Sequence, residues 1–170
     1  MFQIGDKILD KSGHIFSIDR IETKNFGAGD IPYFVMKPCF SYDFNDGYVS
    51  YVPVDKSENL LRPIMKEEEA LSLIDSFRTL EVYPEVNPRE RKTFFTKVIA
   101  GGNREEICRI IKTLVIYRKE RMKNNKPFSD YDRRLLDSLT QLLQSELSIV
   151  LNIPISEVFP LVFDRTGFAM

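Results

Sequence analysis

The stretch Phe128-Ser-Asp-Tyr-Asp-Arg-Arg-Leu-Leu136 opens the helix around which the rest of the chain is read. Ser129, with Asp132 three residues on, has the form of an N-cap with an acidic partner. Leu135, Leu136, Leu139, Leu142, Leu143 and Leu147 then recur at helical spacing. The spacing predicts a long amphipathic helix with an apolar stripe to bury. Arg133 and Arg134 fall in its first turn, where the helix dipole disfavours cations. Helix stability does not account for them, and a phosphate backbone is one candidate partner.

Two further helices are predicted upstream by their start signals. Asn87 as N-cap, Pro88 at the first helical position and Glu90 at the third begin one, whose apolar side is Phe94, Phe95, Val98 and Ile99 and which ends at Gly101-Gly102. Asn103 and Glu106 begin the next, which runs to about Asn124. On a wheel of about 100° per residue, Ile107, Ile110, Ile111 and Leu114 share one face, and Arg109, Lys112, Lys119 and Lys123 cluster on the other. Before these, Lys66-Glu-Glu-Glu69 with Ala70, Leu71, Leu73, Ile74 and Phe77 predicts a helix with an acidic start, and Glu81-Val-Tyr-Pro-Glu-Val86 reads as a connector. After the long helix, Asn152-Ile-Pro154 interrupts, and Ser156 is a candidate cap for a last turn. Phe159, Leu161, Phe163 and Phe168 form either a packing strip or an exposed apolar tail.

Residues 1–64 read differently. Lys7–Leu9, His14–Glu22, Tyr33–Lys37, Tyr48–Pro53 and Leu61–Ile64 are short runs rich in Ile, Val, Phe and Tyr. Turn-like stretches separate them at Lys11-Ser-Gly13, Gly27-Ala-Gly-Asp30, Asn45-Asp-Gly47 and Asp55-Lys-Ser-Glu-Asn59. Five short strands at this spacing predict a small, bent barrel of SH3 or Tudor type. The expected fold is therefore α+β, with a barrel over 1–64, a helix and connector over 65–86, and a compact all-α domain over 87–170.

A net charge of -1 hides an uneven distribution, since residues 87–134 carry 14 basic against 6 acidic side chains, a net of +8. A basic module of this kind is the electrostatic footprint of an anion-binding surface. On the wheel, the Arg109, Lys112, Lys119 and Lys123 stripe is either a solvated bundle face or a nucleic-acid surface; Arg89, Arg91, Lys92, Lys97, Arg133 and Arg134 in the same block favour the second. Cys39 and Cys108 lie far apart with no partner at metal-ligand spacing, so neither zinc nor a redox pair is expected. His14 has no identifiable Ser, Cys or acidic partner and reads as a surface turn residue. No metal or cofactor is expected, and an enzyme is not, because there is no Gly-rich phosphate loop and no catalytic constellation. No apolar run approaches the roughly 18 residues of a membrane span, and the opening Met-Phe-Gln-Ile-Gly-Asp has no basic region before an apolar one. The expected location is the cytoplasm.

The order and spacing of Ile4-Gly5-Asp6, Ile21-Glu22-Thr23-Lys24, Val52-Pro53, Ala100-Gly101-Gly102-Asn103 and Phe128-Ser129 through Arg133-x-Leu135-Leu136 to Ser145-Glu146-Leu147 resemble those of CarD/CdnL-type transcription regulators. The resemblance implies a Tudor-like domain that docks on the β subunit of RNA polymerase and a helical domain that touches promoter DNA without reading its sequence, altering open-complex stability. It implies polymerase contacts at Lys24, where the family tends to carry an arginine, and at Tyr51, where it has another basic residue. It places the family's minor-groove tryptophan at Pro88 in a chain with no tryptophan, and phosphate contacts at Arg91, Lys92 and Arg133. The family's Tyr-Pro-x-His-Gly element is replaced by Asp10-Lys11-Ser12-Gly13-His14. A bacterial, monomeric regulator is expected; the alternative is a protein-interaction adaptor of the same shape that no longer wedges DNA.

Overall fold

The computed structural model describes residues 1–27, 29–40 and 44–170. They divide into two compact units, Met1–Met65 and Lys66–Met170. The chain is α+β, an antiparallel five-stranded sheet followed by helices.

In the first unit, β1 (Lys7–Leu9), β2 (Ile15–Asn25), β3 (Asp30–Pro38), β4 (Ser50–Pro53) and β5 (Arg62–Pro63) lie in the order β4-β3-β2-β1-β5. Residues 55–59, expected as a loop, instead form a 3-10 turn at Val54–Lys56 and the short helix α1 (Ser57–Leu60). The buried Ser57 hydroxyl donates to Val54 O at 2.8 Å and holds that turn. Asn45-Asp-Gly47 does form a turn, closed by Tyr48 N on Asn45 O at 3.1 Å with Gly47 at φ +79°. It sits within the longer connection from Pro38 to Ser50, of which residues 41–43 lie outside the described residues, as does Ala28 in the expected Gly27–Asp30 turn.

A register shift between Ile18 and Arg20 decides which side chains face the core. Ile18 pairs with Met36 while Arg20 pairs with Val35, so Asp19 is an extra residue on β2. Strict alternation would send Arg20 inward after Phe16 and Ile18; the bulge turns Arg20, Glu22 and Lys24 to the other face and brings Ile21 opposite Phe34. The core is Ile8, Phe16, Ile18, Phe34, Met36, Val52 and Leu61. On the opposite face runs a ladder of ion pairs, Lys37 to Asp19 at 2.8 Å, Arg20 to Glu22 at 2.6 Å and Lys24 to Glu22 at 3.1 Å. Hydrogen bonds from Lys37 and then Arg20 hold the Asp19 carboxyl below its ordinary pKa, and Arg20 and Lys24 do the same for Glu22.

The second unit contains α2 (Glu67–Ser76), α3 (Pro88–Gly101), α4 (Arg104–Lys123), α5 (Asp130–Leu151) and α6 (Val158–Thr166). The start signals in the sequence correspond to observed bonds. Asn87 Oδ1 accepts from Glu90 N at 3.0 Å, Asn103 Oδ1 from Glu106 N at 3.1 Å, and Ser129 Oγ from Asp132 N at 3.1 Å. Gly102 and Asn152 end α3 and α5 in the left-handed conformation. Ile110, Ile111 and Leu114 of α4 are fully buried, and Leu136, Leu139, Leu143 and Leu147 bury the α5 stripe.

Beyond Asn152-Ile-Pro154 the chain forms one more helix, and residues 167–170 follow it outside any helix or strand. Ser156, the expected cap, lies inside a 3-10 turn at Ile155–Glu157, and α6 begins after Glu157 with no side-chain cap; Pro160 is tolerated in its first turn, where its N–H would be unpaired anyway. Val158 and Val162 are buried, Phe163 is exposed, and Phe168 stacks on Phe77 at 5.5 Å. Arg165 of α6 donates to both Asp75 oxygens of α2, at 2.9 and 2.6 Å, and holds that carboxyl below its ordinary pKa. Among the described residues, no single helix is long and apolar enough to cross a membrane. Ile111→Ala should lower unfolding free energy by about 2–5 kcal/mol through cavity formation. Phe163→Ala should change it by no more than about 0.5 kcal/mol, both read by denaturant unfolding.

Candidate nucleic-acid interface

Of the nine helical-unit residues singled out in the sequence, Arg91 departs furthest from the expected exposed phosphate contact. It is 6% exposed and Asp132 is 1% exposed. Arg91 Nη2 donates to Asp132 Oδ2 at 2.5 Å and Nε to Oδ1 at 3.2 Å. The Ser129 hydroxyl donates to the same Oδ2 at 2.8 Å, and Arg91 lies over the Tyr117 ring at 4.6 Å. Burial opposes the Arg91 charge, but the hydrogen bond and charge of Asp132 outweigh it, and the guanidinium pKa rises above its ordinary value. The capping segment of α5 thus also holds the counter-ion of α3, and the N-terminal ends of the two helices are fastened together.

Most of the stripe on α4 is likewise engaged within the unit. Lys112 Nζ donates to Phe77 O at 2.7 Å, at the C-terminal end of α2 where a cation complements the helix dipole. Arg109 donates to Glu81 O at 2.7 Å and lies 4.0 Å over the Tyr83 ring. Lys119, although exposed, donates to Ala169 O at 2.7 Å. Three of the four stripe cations therefore tie other segments of the unit to α4. The fourth, Lys123, is exposed at the last position of the helix.

Residues 81–86, read above as a connector, are fastened by the same side chains. Tyr83 N donates to Thr113 Oγ1 at 3.0 Å and the Tyr83 hydroxyl donates to Glu106. They belong to the helical unit, together with α2. Burial, followed by the Glu106 carboxylate, pushes the Tyr83 phenol up to about 12.

The remaining candidates collect at the joined ends. Pro88 is exposed at the first position of α3; Arg89 and Lys92 are exposed beside it, the Lys92 ammonium 5.2 Å from the Tyr131 ring at the start of α5. Arg133 and Arg134 are exposed in the opening of α5, with Arg133 paired to Asp130. Two helix N-termini, each equivalent to roughly half a positive charge, thus stand with Arg89, Lys92, Arg133 and Arg134 against Glu90 and Asp130. This arrangement can hold phosphates by charge without reading bases.

On the sheet, Lys24 pairs with Glu22 and Tyr51 lies opposite Val35. Both are on the face away from the core, where Phe26 packs edge-on to Tyr33 at 5.1 Å and to Tyr51 at 5.6 Å. Two further features went unread in the sequence. Asp10 is the acidic partner of His14, accepting from its backbone N at 2.8 Å and lying 3.4 Å from its ring. Arg104 of α4 pairs with Glu146 of α5 at 2.7 Å. Cys108 is buried, which pushes its thiol up to about 12 and leaves it unreactive. Among the described residues, no group of acidic, His or Cys side chains could hold a metal. No known protein family matches the chain, and neither does any curated protein.

The raised Tyr83 pKa means that the folded unit holds the phenol proton more tightly than the unfolded chain. This contribution to stability is complete below pH 10 and is lost as pH rises toward about 12. Tyr83→Phe should therefore show a shallower loss of stability between these pH values than the parent, measured by alkaline unfolding followed by circular dichroism.

Proposed function

We propose that this protein is a non-enzymatic, CarD-like transcription regulator whose sheet unit docks on the β subunit of RNA polymerase and whose helical unit lies on upstream promoter DNA. The observation that carries the DNA half is the pairing of two helix N-termini by Arg91 and Asp132, with Arg89, Lys92, Arg133 and Arg134 exposed around them. Phosphate contacts of this kind bind DNA in a strongly salt-dependent manner and with little sequence information. The exposed Pro88 ring is too small to replace lost base stacking, so binding rests on phosphates, not on a wedge between base steps.

For the sheet unit we infer a small SH3/Tudor-like barrel. Support comes from the return of β5 beside β1 and from the helical turn between β4 and β5. Lys24 and Tyr51 share its outer face with the exposed Phe26 ring, and β4, which carries Tyr51, is an edge strand. A charged ladder beside an aromatic cluster suits a protein partner, since aromatic side chains dominate interface energetics.

The test is retention of the full chain by core RNA polymerase, followed by promoter-DNA binding across a salt series. Lys92→Ala, Arg133→Ala and Arg134→Ala should each reduce the salt slope by about one, because each leaves one phosphate un-neutralised, whereas Lys112→Ala should lower stability and leave the slope unchanged. Unchanged slopes in all three outward variants would remove the DNA half of the proposal. Failure of the polymerase to retain the chain would remove the other half.

A further inference from the structure

Between residues 82–86, α3 and α4 lies a cavity of about 440 Å³, within the roughly 300–1,000 Å³ typical of small-molecule sites. Its lining is largely apolar and includes four aromatic rings, Tyr83, Phe94, Phe95 and Tyr117. Phe95 is buried at its floor, while Val82, Val86 and Phe94, which also line it, are 39%, 36% and 41% exposed. Solvent-exposed large apolar side chains are ordinarily scattered; three around one opening mark a surface that a ligand would cover.

The charge of the cavity is opposite to that of its surroundings. It is lined by three carboxylates, Glu85, Glu90 and Glu120, all exposed. Its one cationic lining residue among those described is Arg91, whose guanidinium is already bound to Asp132. An acidic mouth therefore opens in a segment whose net charge is +8 across residues 87–134, where 14 basic side chains oppose 6 acidic ones. An anion entering here would meet three carboxylates and, among the described lining residues, no cation other than the engaged Arg91. A neutral apolar molecule would gain burial alone. A cation on an apolar body gains burial against the rings and an ion pair at the mouth.

We propose that this cavity binds a small organic cation, an amine attached to an aromatic or branched apolar body. The body fills the space between Phe94, Phe95 and Tyr117, and the ammonium group stays at the rim with Glu90 and Glu120. Arg89, Lys92, Arg133 and Arg134, the exposed cations assigned to phosphate binding, do not line the site.

Titration calorimetry on the full chain tests this with three probes of one shape: phenylbutylamine, phenylbutanol and phenylbutyrate. The amine should bind saturably and about fivefold more tightly than the alcohol, the upper end for an ion pair with exposed carboxylates. The carboxylate should bind more weakly than either. The exposed-residue double variant E90Q/E120Q should bring the amine down to the affinity of the alcohol and leave the alcohol unchanged. Phe94→Ala, also at an exposed position, should weaken both by about tenfold. The proposal is overturned by phenylbutyrate binding as tightly as the amine, by amine binding that neither variant alters, or by no saturable binding of the amine.

Discussion

The Arg91–Asp132 pair is the constraint on which the helical unit depends. A guanidinium and a carboxylate taken out of water lose several kcal/mol of hydration each, and only close two-point contact with further hydrogen bonds offsets it. The geometry meets that condition. Asp132 accepts from two Arg91 nitrogens and from the Ser129 hydroxyl, and Arg91 also covers Tyr117. Among the described residues, no buried side-chain nitrogen or oxygen is left without a partner. Since Asp132 is also the residue whose N–H completes the α5 cap, one residue fixes where α5 begins and where α3 lies against it. The outward array of cations and the wall of the cavity at Arg91 both follow from that placement.

The cations of the helical unit then fall into two groups that composition alone does not distinguish. Arg109, Lys112 and Lys119 reach backbone oxygens of residues 81, 77 and 169, so they tie neighbouring segments to α4. Each such bond to a charged donor is worth on the order of 1.5–3 kcal/mol when formed away from water, and less at the exposed ends. Arg89, Lys92, Arg133 and Arg134 instead stand exposed around the joined helix ends. A wheel projection gives the angle of a lysine about its own helix. It contains no term for the carbonyl groups that other segments bring to that side.

Features governed by neighbouring residues were legible in the sequence. The Asn87, Asn103 and Ser129 caps are local contests between a side chain and water for an unpaired N–H, and all three formed where the residue types indicated. The leucine stripe of α5 followed from periodicity, and the five strands from runs rich in Ile, Val, Phe and Tyr set between turn residues. What could not be read depends on distance in space. The Arg91 counter-ion lies 41 residues away, the role of residues 81–86 depends on Thr113 and Arg109, and α6 is held by Asp75. The β2 bulge escaped as well, because an extra residue in a strand changes the facing of Arg20, Glu22 and Lys24 without altering the composition of the run.

A double-mutant cycle on Arg91 and Asp132, measured by denaturant unfolding of the full chain, addresses the central claim most directly. Arg91→Met and Asp132→Ala should each cost about 3–5 kcal/mol, because each leaves a buried charge without its partner. The double variant should cost less than their sum by about 2 kcal/mol or more, as expected for groups in one network. Single costs below about 1 kcal/mol with additive behaviour would contradict it, and would mean that the ends of α3 and α5 are held together by something other than this pair.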